Sequence, residues 1–239
     1  MSRLLLIRHA QASFDRADYD QLSELGRKQA RALGDWLARI QRVDRVYVGP
    51  LKRHRQTAEA VYEELRLLGI AWPEPELLPG LDEHKGPQVM RALLPTLLET
   101  DERLVAWARE LENSHRSRRA VHLQMFDHVM RRWAANELED EHLELPTWAE
   151  FRRQVRHALE HILQQNNSGS TVVGFTSGGT ISAAVGHALG MEQEEKVIGL
   201  NGLVYNSSLS EFLFSGERLS LKAFNAIPHL HRPELHTYV

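Results

Sequence analysis

Two short clusters, Arg8-His9 and Lys52-Arg53-His54-Arg55, hold the residues best suited to chemistry in this sequence. A neutral imidazole at a strand end can attack phosphorus when a hydrogen bond holds its second nitrogen. A neighbouring guanidinium can grip phosphoryl oxygens in pairs. The plainer alternative for Arg8-His9 is a surface pair where a strand ends. In GPLKRHRQTA, Gly49 to Ala58, Arg53 and His54 fall in the first turn of an expected helix. A helix N-terminus attracts anions, and an arginine there adds charge. The alternative is a basic face pointing to water. The chain has no cysteine, which excludes a thiolate nucleophile, thiolate metal sites and disulfides.

The elements around these clusters suggest how they come together. Arg3 to Ile7 is a short apolar run ending at Arg8, as in a buried strand. Ser23 can cap a helix running to about Ile40, and Val43 to Val48 reads as a second strand. A helix follows from about Leu51 to Leu68, with Gly69 as its stop. A short strand is expected at Glu76–Leu78 within a loop rich in proline and glycine. About 86–166 is helical in pattern, interrupted at Pro95 and Pro146, and reads as an insertion within a single domain spanning 1–239. Thr171 to Thr176 returns to strand, and Gly178-Gly179 turns into a helix reaching Leu189. Leu203–Tyr205, Glu211–Phe214 and Leu219–Phe224 are further candidate strands, with a hairpin turn at Ser215-Gly216. Strand and helix alternate at both ends of the chain. The expected fold class is therefore α/β, a three-layer α/β/α sandwich on a mainly parallel sheet. Ligands of such sheets bind at the carboxyl ends of strands. Arg8-His9, Arg53 and Ser177 all follow expected strands, so they should share one rim.

Composition narrows the partners. The chain of 239 residues carries 29 basic and 32 acidic side chains. That balance argues against a nucleic-acid footprint, yet a local arginine pair can still bind a small phosphate ester. The apolar run at the start is too short for a signal segment or a membrane span, so a cytoplasmic protein is expected, with no membrane partner. No cofactor and no metal are implied. His229 and His231 could form a weak metal clip, but a surface loop is the simpler reading. Oligomeric state stays open, a homodimer being one option.

Taken together, the motifs resemble the histidine phosphatase superfamily, also called phosphoglycerate mutase-like. That family's pattern opens with a strand and Arg-His-Gly, here LIRHAQASF. It continues through a helix, here LSELGRKQA, and a Ser-Pro-Leu-x-Arg segment, here GPLKRHRQTA. The likeness runs on through Val172–Ile181 to FNAIPHL and hardly touches the middle of the chain. The resemblance implies that His9 becomes a phosphohistidine and that Arg8 and Arg53 hold the phosphoryl group. It implies that Glu83, in LDEHKG, is the general acid, although Asp82 is adjacent and an exposed loop residue is the alternative. Ser177 and Gly178 would complete the phosphate-binding set.

The sequence also departs from the pattern. The family carries a second histidine in a Val-Ser-His-Gly-Gly segment, and this chain reads GFTSGGTI, with Ser177 at that position. Losing one preorganised donor typically costs about 10²–10³ in rate, and a neutral hydroxyl recovers only part of it. Ser177 could otherwise be a plain helix N-cap. His54, His84, His122, His128 and His229 could each swing in to compensate, but each taken singly is expected at the surface. Ala10 replaces a glycine and Gly49 replaces a serine of the pattern.

Three functions follow. The first is a phosphomonoesterase of reduced efficiency acting through His9, in which Ser177→His would raise turnover if the surrounding geometry is intact. The second is a protein that binds or senses phosphate esters without turnover. The third is a sugar-phosphate mutase of the phosphoglycerate type, disfavoured because DRADYDQLSEL lacks that group's Gly-Trp. In all three the partner is a small phosphorylated molecule. The helical segment should roof its site, with Trp107, Trp133 and Trp148 read as core.

Overall fold

The run Leu4-Leu5-Leu6-Ile7 is buried on both of its faces, as a strand in the middle of a covered sheet must be. The computed structural model describes residues 1–13, 20–40, 42–113, 118–138 and 144–238. In chain order its elements begin with β1 (Ser2–Arg8), α1 (Glu24–Leu37), β2 (Arg45–Val48), α2 (Lys52–Leu67) and β3 (Pro75–Leu77). The helices α3 (Gly86–Thr100), α4 (Glu102–Asn113), α5 (Arg118–Ala134) and α6 (Trp148–Gln165) follow. Then come β4 (Thr171–Thr176), α7 (Gly178–Ala188), α8 (Glu194–Gly199), β5 (Leu209–Ser215) and β6 (Arg218–Ala226).

The six strands form one sheet in the order β3-β2-β4-β1-β5-β6. The first four are parallel, and β5 and β6 run antiparallel as a hairpin closed at Gly216, whose φ is +56°. Alternate residues of each strand serve different cores. Leu5, Ile7, Val173 and Phe175 face Leu33, Leu37, Val61 and Leu65 of α1 and α2. Leu4, Leu6, Tyr47 and Val172 belong to a second core with Trp133, Phe151, Ile162 and Ile181 of α5, α6 and α7. The result is the expected α/β fold with helices on both faces.

Local chemistry sets the element ends. Ser23 Oγ accepts from the Gly26 N–H at 2.9 Å and starts α1. Thr147 and Glu150 form a reciprocal capping box at the start of α6, just after Pro146. Gly69, with φ +72°, ends the turn after α2.

Three expectations are corrected. Pro95 does not interrupt the helix but lies inside α3; Pro95 and Arg91 are both exposed, so the Arg91 carbonyl that lacks a donor can turn to water. Gly178 and Gly179 are the first two residues of α7 rather than a turn before it. Leu203–Tyr205 is not a strand: Leu200–Leu203 is a 3-10 turn, and the segment after it is held by Asn225, which accepts from the Tyr205 N–H and donates to the Leu203 carbonyl, both at 2.7 Å.

Because β1, β2 and β4 are parallel, their carboxyl ends share one edge. Arg8 is level with Thr176, and Val48 is level with Phe175. The segments carrying His9, Arg53 and Ser177 therefore leave the sheet side by side.

Close approach at Gly26 seats α1 beneath that edge, since a Cβ there would collide with the Gln11 carbonyl. Gly26→Ala is expected to cost roughly 1–3 kcal/mol, read as a lower urea midpoint. An unchanged midpoint would mean that the 11–26 contact is not tight in solution.

Candidate active site

Every expected site residue meets at the start of α7. A Cβ built on Gly178 would lie 3.5 Å from Arg8 Nε and collide with Asn201 Oδ1. One built on Gly179 would collide with Glu83 Oε1. Arg53 Nη2 is 3.5 Å from Ser177 Oγ. The glycine pair thus lets Arg8, Asn201 and Glu83 close on the end of a helix, where the dipole favours negative charge.

His9 is fixed by its backbone and by one ring nitrogen. Its N–H donates to the Thr176 carbonyl at 2.8 Å, and its own carbonyl accepts from Ser207 N at 3.1 Å and Asn206 Nδ2 at 3.3 Å. Nδ1 lies 2.8 Å from the Ala10 carbonyl. A carbonyl can only accept, so Nδ1 carries the proton and Nε2 keeps its lone pair. Burial above all, then the charges of Arg53 and Arg8 and the nearby His54, push the imidazole well below the usual histidine range. The ring is neutral, which is the form a nucleophile needs.

The two arginines are held from different directions. Arg8 Nη1 donates to the Val204 carbonyl, which Asn225 positions through its neighbours. Arg53 Nη1 donates to Asp20 Oδ1 at 2.7 Å. The same carboxylate accepts from the Lys52 N–H at 2.8 Å, so Asp20 caps α2 from a distant segment. Thr57 donates to the Arg53 carbonyl at 2.7 Å and accepts from the Ala10 N–H at 3.0 Å, joining the first turns of α2 to the loop after β1. Gln29 is fully buried and ties Gln11 to the carbonyl of Leu235. The LSELGRKQA motif therefore serves the scaffold of the site.

Glu83 and Asp82 separate cleanly. Asp82 Oδ2 pairs with Lys85 Nζ at 2.9 Å. Glu83 Oε2 accepts from the Gly179 N–H at 3.4 Å, and Oε1 accepts from the His84 N–H at 2.9 Å. The loop is pinned from beneath, since Thr176 Oγ1 donates to the Leu81 carbonyl at 2.8 Å and Thr180 Oγ1 donates to that of Asp82. His84 is buried against Trp133, Trp148 and Phe151, with ring centroids 5.6–6.0 Å away. Its Nδ1 accepts from the Gly86 N–H at 3.0 Å, so Nε2 carries the proton, 3.5 Å from Glu83 Oε1.

Ser177 sits at the N-cap position of α7 but makes no side-chain capping bond. Its hydroxyl goes instead to His54, with Nε2 at 2.6 Å. Both residues are 0% exposed. The His54 ring lies 5.8 Å from that of His9, centroid to centroid. Burial first, then Arg53, holds it well below the ordinary histidine range as well. Gly49 makes room, because a Cβ there would collide with Nδ1 of this ring and with the Leu81 carbonyl.

Expectation and structure part at the histidines. His54, His84 and His229 are buried rather than superficial, whereas His122 is exposed. His229 Nε2 is bonded to Ser207 Oγ at 2.9 Å rather than lying in a surface loop with His231. The volume beside Ser177 is filled by His54, so Ser177→His has no space for a second ring while His54 remains. Asp20, Asn201 and Asn206 carried no signal in the sequence, being single polar residues in loops. His54 did carry one: it sits in the same motif as Gly49, and it was one of the histidines that could compensate at Ser177.

The family described as histidine phosphatase superfamily (branch 1) matches residues 4–114 and 119–227. Among solved structures the chain is similar to Bacillus stearothermophilus YhfR, with a TM-score of 0.65 and 17% identity over 97% of this chain and 100% of that one. It is similar to phosphoglycerate mutase from Bacillus anthracis str. Sterne, at 0.65 and 16% over 96% and 95%. It is also similar to phosphoserine phosphatase from Entamoeba histolytica in complex with 3-phosphoglyceric acid, at 0.63 and 19% over 96% and 100%. At such identities the likeness is one of fold. None of the curated proteins compared with the chain matches it.

Three buried neutral histidines link stability to pH. His9 and His54 are held well below 6.5, and burial lowers His229 to about 4. In the unfolded chain each takes up a proton near its ordinary value of 6.5, while the folded form does not. The unfolded state therefore binds more protons below that pH, and stability falls as pH drops through it. The slope is up to about 1.4 kcal/mol per pH unit for each histidine. Urea midpoints measured from pH 7 to pH 5 should decline accordingly; a flat profile would mean that these rings are charged in the folded protein.

Proposed function

The chain belongs to the histidine phosphatase superfamily, branch 1, and from that premise we propose that it is a phosphomonoesterase working through a phosphohistidine at His9. The observation that carries the proposal is the Nδ1 bond to the Ala10 carbonyl. It leaves the Nε2 lone pair bare on a neutral ring flanked by two arginines.

In the proposed reaction, Arg8 and Arg53 grip the phosphoryl oxygens beside Gly178 and Ser177 at the start of α7. His9 Nε2 forms a bond to phosphorus as the ester P–O bond breaks, and the carboxylic acid of Glu83 gives its proton to the departing oxygen. Glu83, now a carboxylate, takes a proton from water while the water oxygen attacks phosphorus and the N–P bond breaks. Inorganic phosphate leaves, and both side chains return to their starting states. The substrate is a small phosphorylated molecule and the setting is cytoplasmic. We further take residues 1–239 as one catalytic unit in which α3 to α6 roof the site and select the leaving group. Trp133 and Trp148 are buried in the core of that roof. Among the described residues no helix is long and apolar enough to cross a membrane.

Ser177 supports a second reading, a phosphate-ester sensor without turnover. Calorimetry showing tight binding of a phosphorylated metabolite without phosphate release would favour it. A mutase remains third; of the stretch that disfavours it in sequence, 15–25, residues 15–19 lie outside the described residues.

With an aryl phosphate, His9→Ala should lower kcat by at least about 10³-fold. Equal rates for the two proteins would sink the proposal. Asp20→Ala frees Arg53 from its carboxylate, and misplacing a positioning group by about 1 Å can cost up to about 10²-fold. The expected outcome is a kcat/KM lowered by about 10-fold to 10²-fold, with His9 chemistry intact in rapid-quench trapping of the phosphoenzyme.

A further inference from the structure

The carbonyl that accepts from His9 Nδ1 belongs to Ala10. A peptide unit is planar, so whatever holds the Gln11 N–H on the far side of the same plane also aims that carbonyl. The Gln11 N–H donates to Gln29 Oε1 at 2.9 Å. One peptide earlier, the His9 carbonyl accepts from Asn206 Nδ2 at 3.3 Å and from Ser207 N at 3.1 Å. Gln29 and Asn206 are both buried, and they meet on one hydroxyl. Gln29 Nε2 donates to Thr237 Oγ1 at 2.9 Å, and Thr237 Oγ1 donates to Asn206 Oδ1 at 2.9 Å.

Backbone groups set the direction of every bond in this chain. A backbone N–H can only donate, so Gln29 turns Oε1 to Gln11 and gives Nε2 to Thr237 and to the Leu235 carbonyl, the latter at 2.7 Å. A carbonyl can only accept, so Asn206 turns Nδ2 to His9 and offers Oδ1 to the Thr237 proton. The hydroxyl thus accepts from one amide and donates its single proton to the other. The segment that carries it, 235–238, is itself tied down. The Asn206 N–H donates to the Thr237 carbonyl at 2.8 Å, His236 Nε2 lies 2.9 Å from the Leu230 carbonyl, and the Tyr238 ring stacks on that of Tyr205 with centroids 4.1 Å apart.

We propose that Thr237 is a positioning residue for phosphoryl transfer, and that segment 235–238 clamps the loop carrying His9. The inference rests on the phosphohistidine reading of His9. Thr237 does not touch the substrate. It locks the two amides that hold the peptides on either side of Ala10, and those peptides aim the imidazole. Without the hydroxyl, Gln29 and Asn206 each lose a partner and can turn, and the Ala10 carbonyl loses its fixed direction. Thr57 still holds the Ala10 N–H, and Ser207 still holds the His9 carbonyl. The loss is therefore one of aim rather than of fold.

The test follows the first turnover of an aryl phosphate at neutral pH, read as release of the aryl alcohol, in wild type, Thr237→Val, Thr237→Ser and His9→Ala. Valine keeps the shape and removes the hydroxyl, whereas serine keeps the hydroxyl. Thr237→Val is expected to lower the maximal first-turnover rate by about 10-fold, since misplacing a reacting group by about 1 Å can cost up to about 10²-fold. The substrate concentration at half-maximal rate should stay within about 3-fold of wild type, because no contact with the substrate is removed. Thr237→Ser should retain a rate within about 3-fold of wild type. A serine variant as slow as the valine variant would overturn the proposal, since the hydroxyl would not be what matters. So would a change confined to the half-maximal concentration, which would make the segment a substrate contact. If Thr237→Val keeps the wild-type rate while His9→Ala is inactive, the clamp falls and the phosphohistidine reading stands. If His9→Ala keeps the wild-type rate, both fall together. Should Thr237→Val not fold by circular dichroism, Thr237→Ala takes its place under the same criteria.

Discussion

Two missing side chains govern how closely this site can draw together. At Gly178 a Cβ would collide with Asn201 Oδ1, and at Gly179 it would collide with Glu83 Oε1. The start of α7 can therefore be approached by an arginine, a carboxylate and an amide at once, each from a different part of the chain. A helix end gathers anion-binding capacity only if its N–H groups remain reachable. The glycines provide that reach, and the parallel alignment of β1, β2 and β4 delivers the partners.

Charge at the rim is arranged by pairing and by burial. Arg53 and Arg8 sit close to His9, and their charge together with burial keeps the imidazole neutral. Two cations packed this closely repel each other, so each is anchored: Arg53 by Asp20, Arg8 by the Val204 carbonyl. This explains why segments far apart in sequence are bound into the rim. Asp20 caps α2, Asn206 holds the His9 carbonyl, and Asn225 shapes the segment ending at Val204.

Glu83 owes its place to a similar division of labour. Its neighbour Asp82 is occupied by Lys85, and the loop is pinned to β4 and α7 by Thr176 and Thr180. Behind it, His84 is packed into aromatic residues of α5 and α6 and presents Nε2 to the carboxylate. The helices α5 and α6 thereby reach Glu83 through one buried ring. A change in those helices can be felt at Glu83 through His84.

Much of this was legible in the sequence, for reasons that are local. The run Leu4 to Ile7, the cap at Ser23, the glycine stop at Gly69 and the strand-end positions of His9, Arg53 and Ser177 follow from periodicity, capping and connection rules acting over a few residues. Those rules also placed the candidate residues on one rim, because parallel strands align their ends. The reading failed where a residue's role depends on a partner far along the chain. Pro95 was tolerated because its helix face meets water, and Leu203–Tyr205 lost its strand because Arg8 and Asn225 take its carbonyls. Above all, the sequence read by resemblance led to the expectation of a histidine where Ser177 stands, and it offered several others. Only the tertiary structure decided which of them filled the space. That choice depends on the distance between the first turn of α2 and the start of α7, and on the volume left by Gly49, and neither quantity is encoded in any single stretch of the chain.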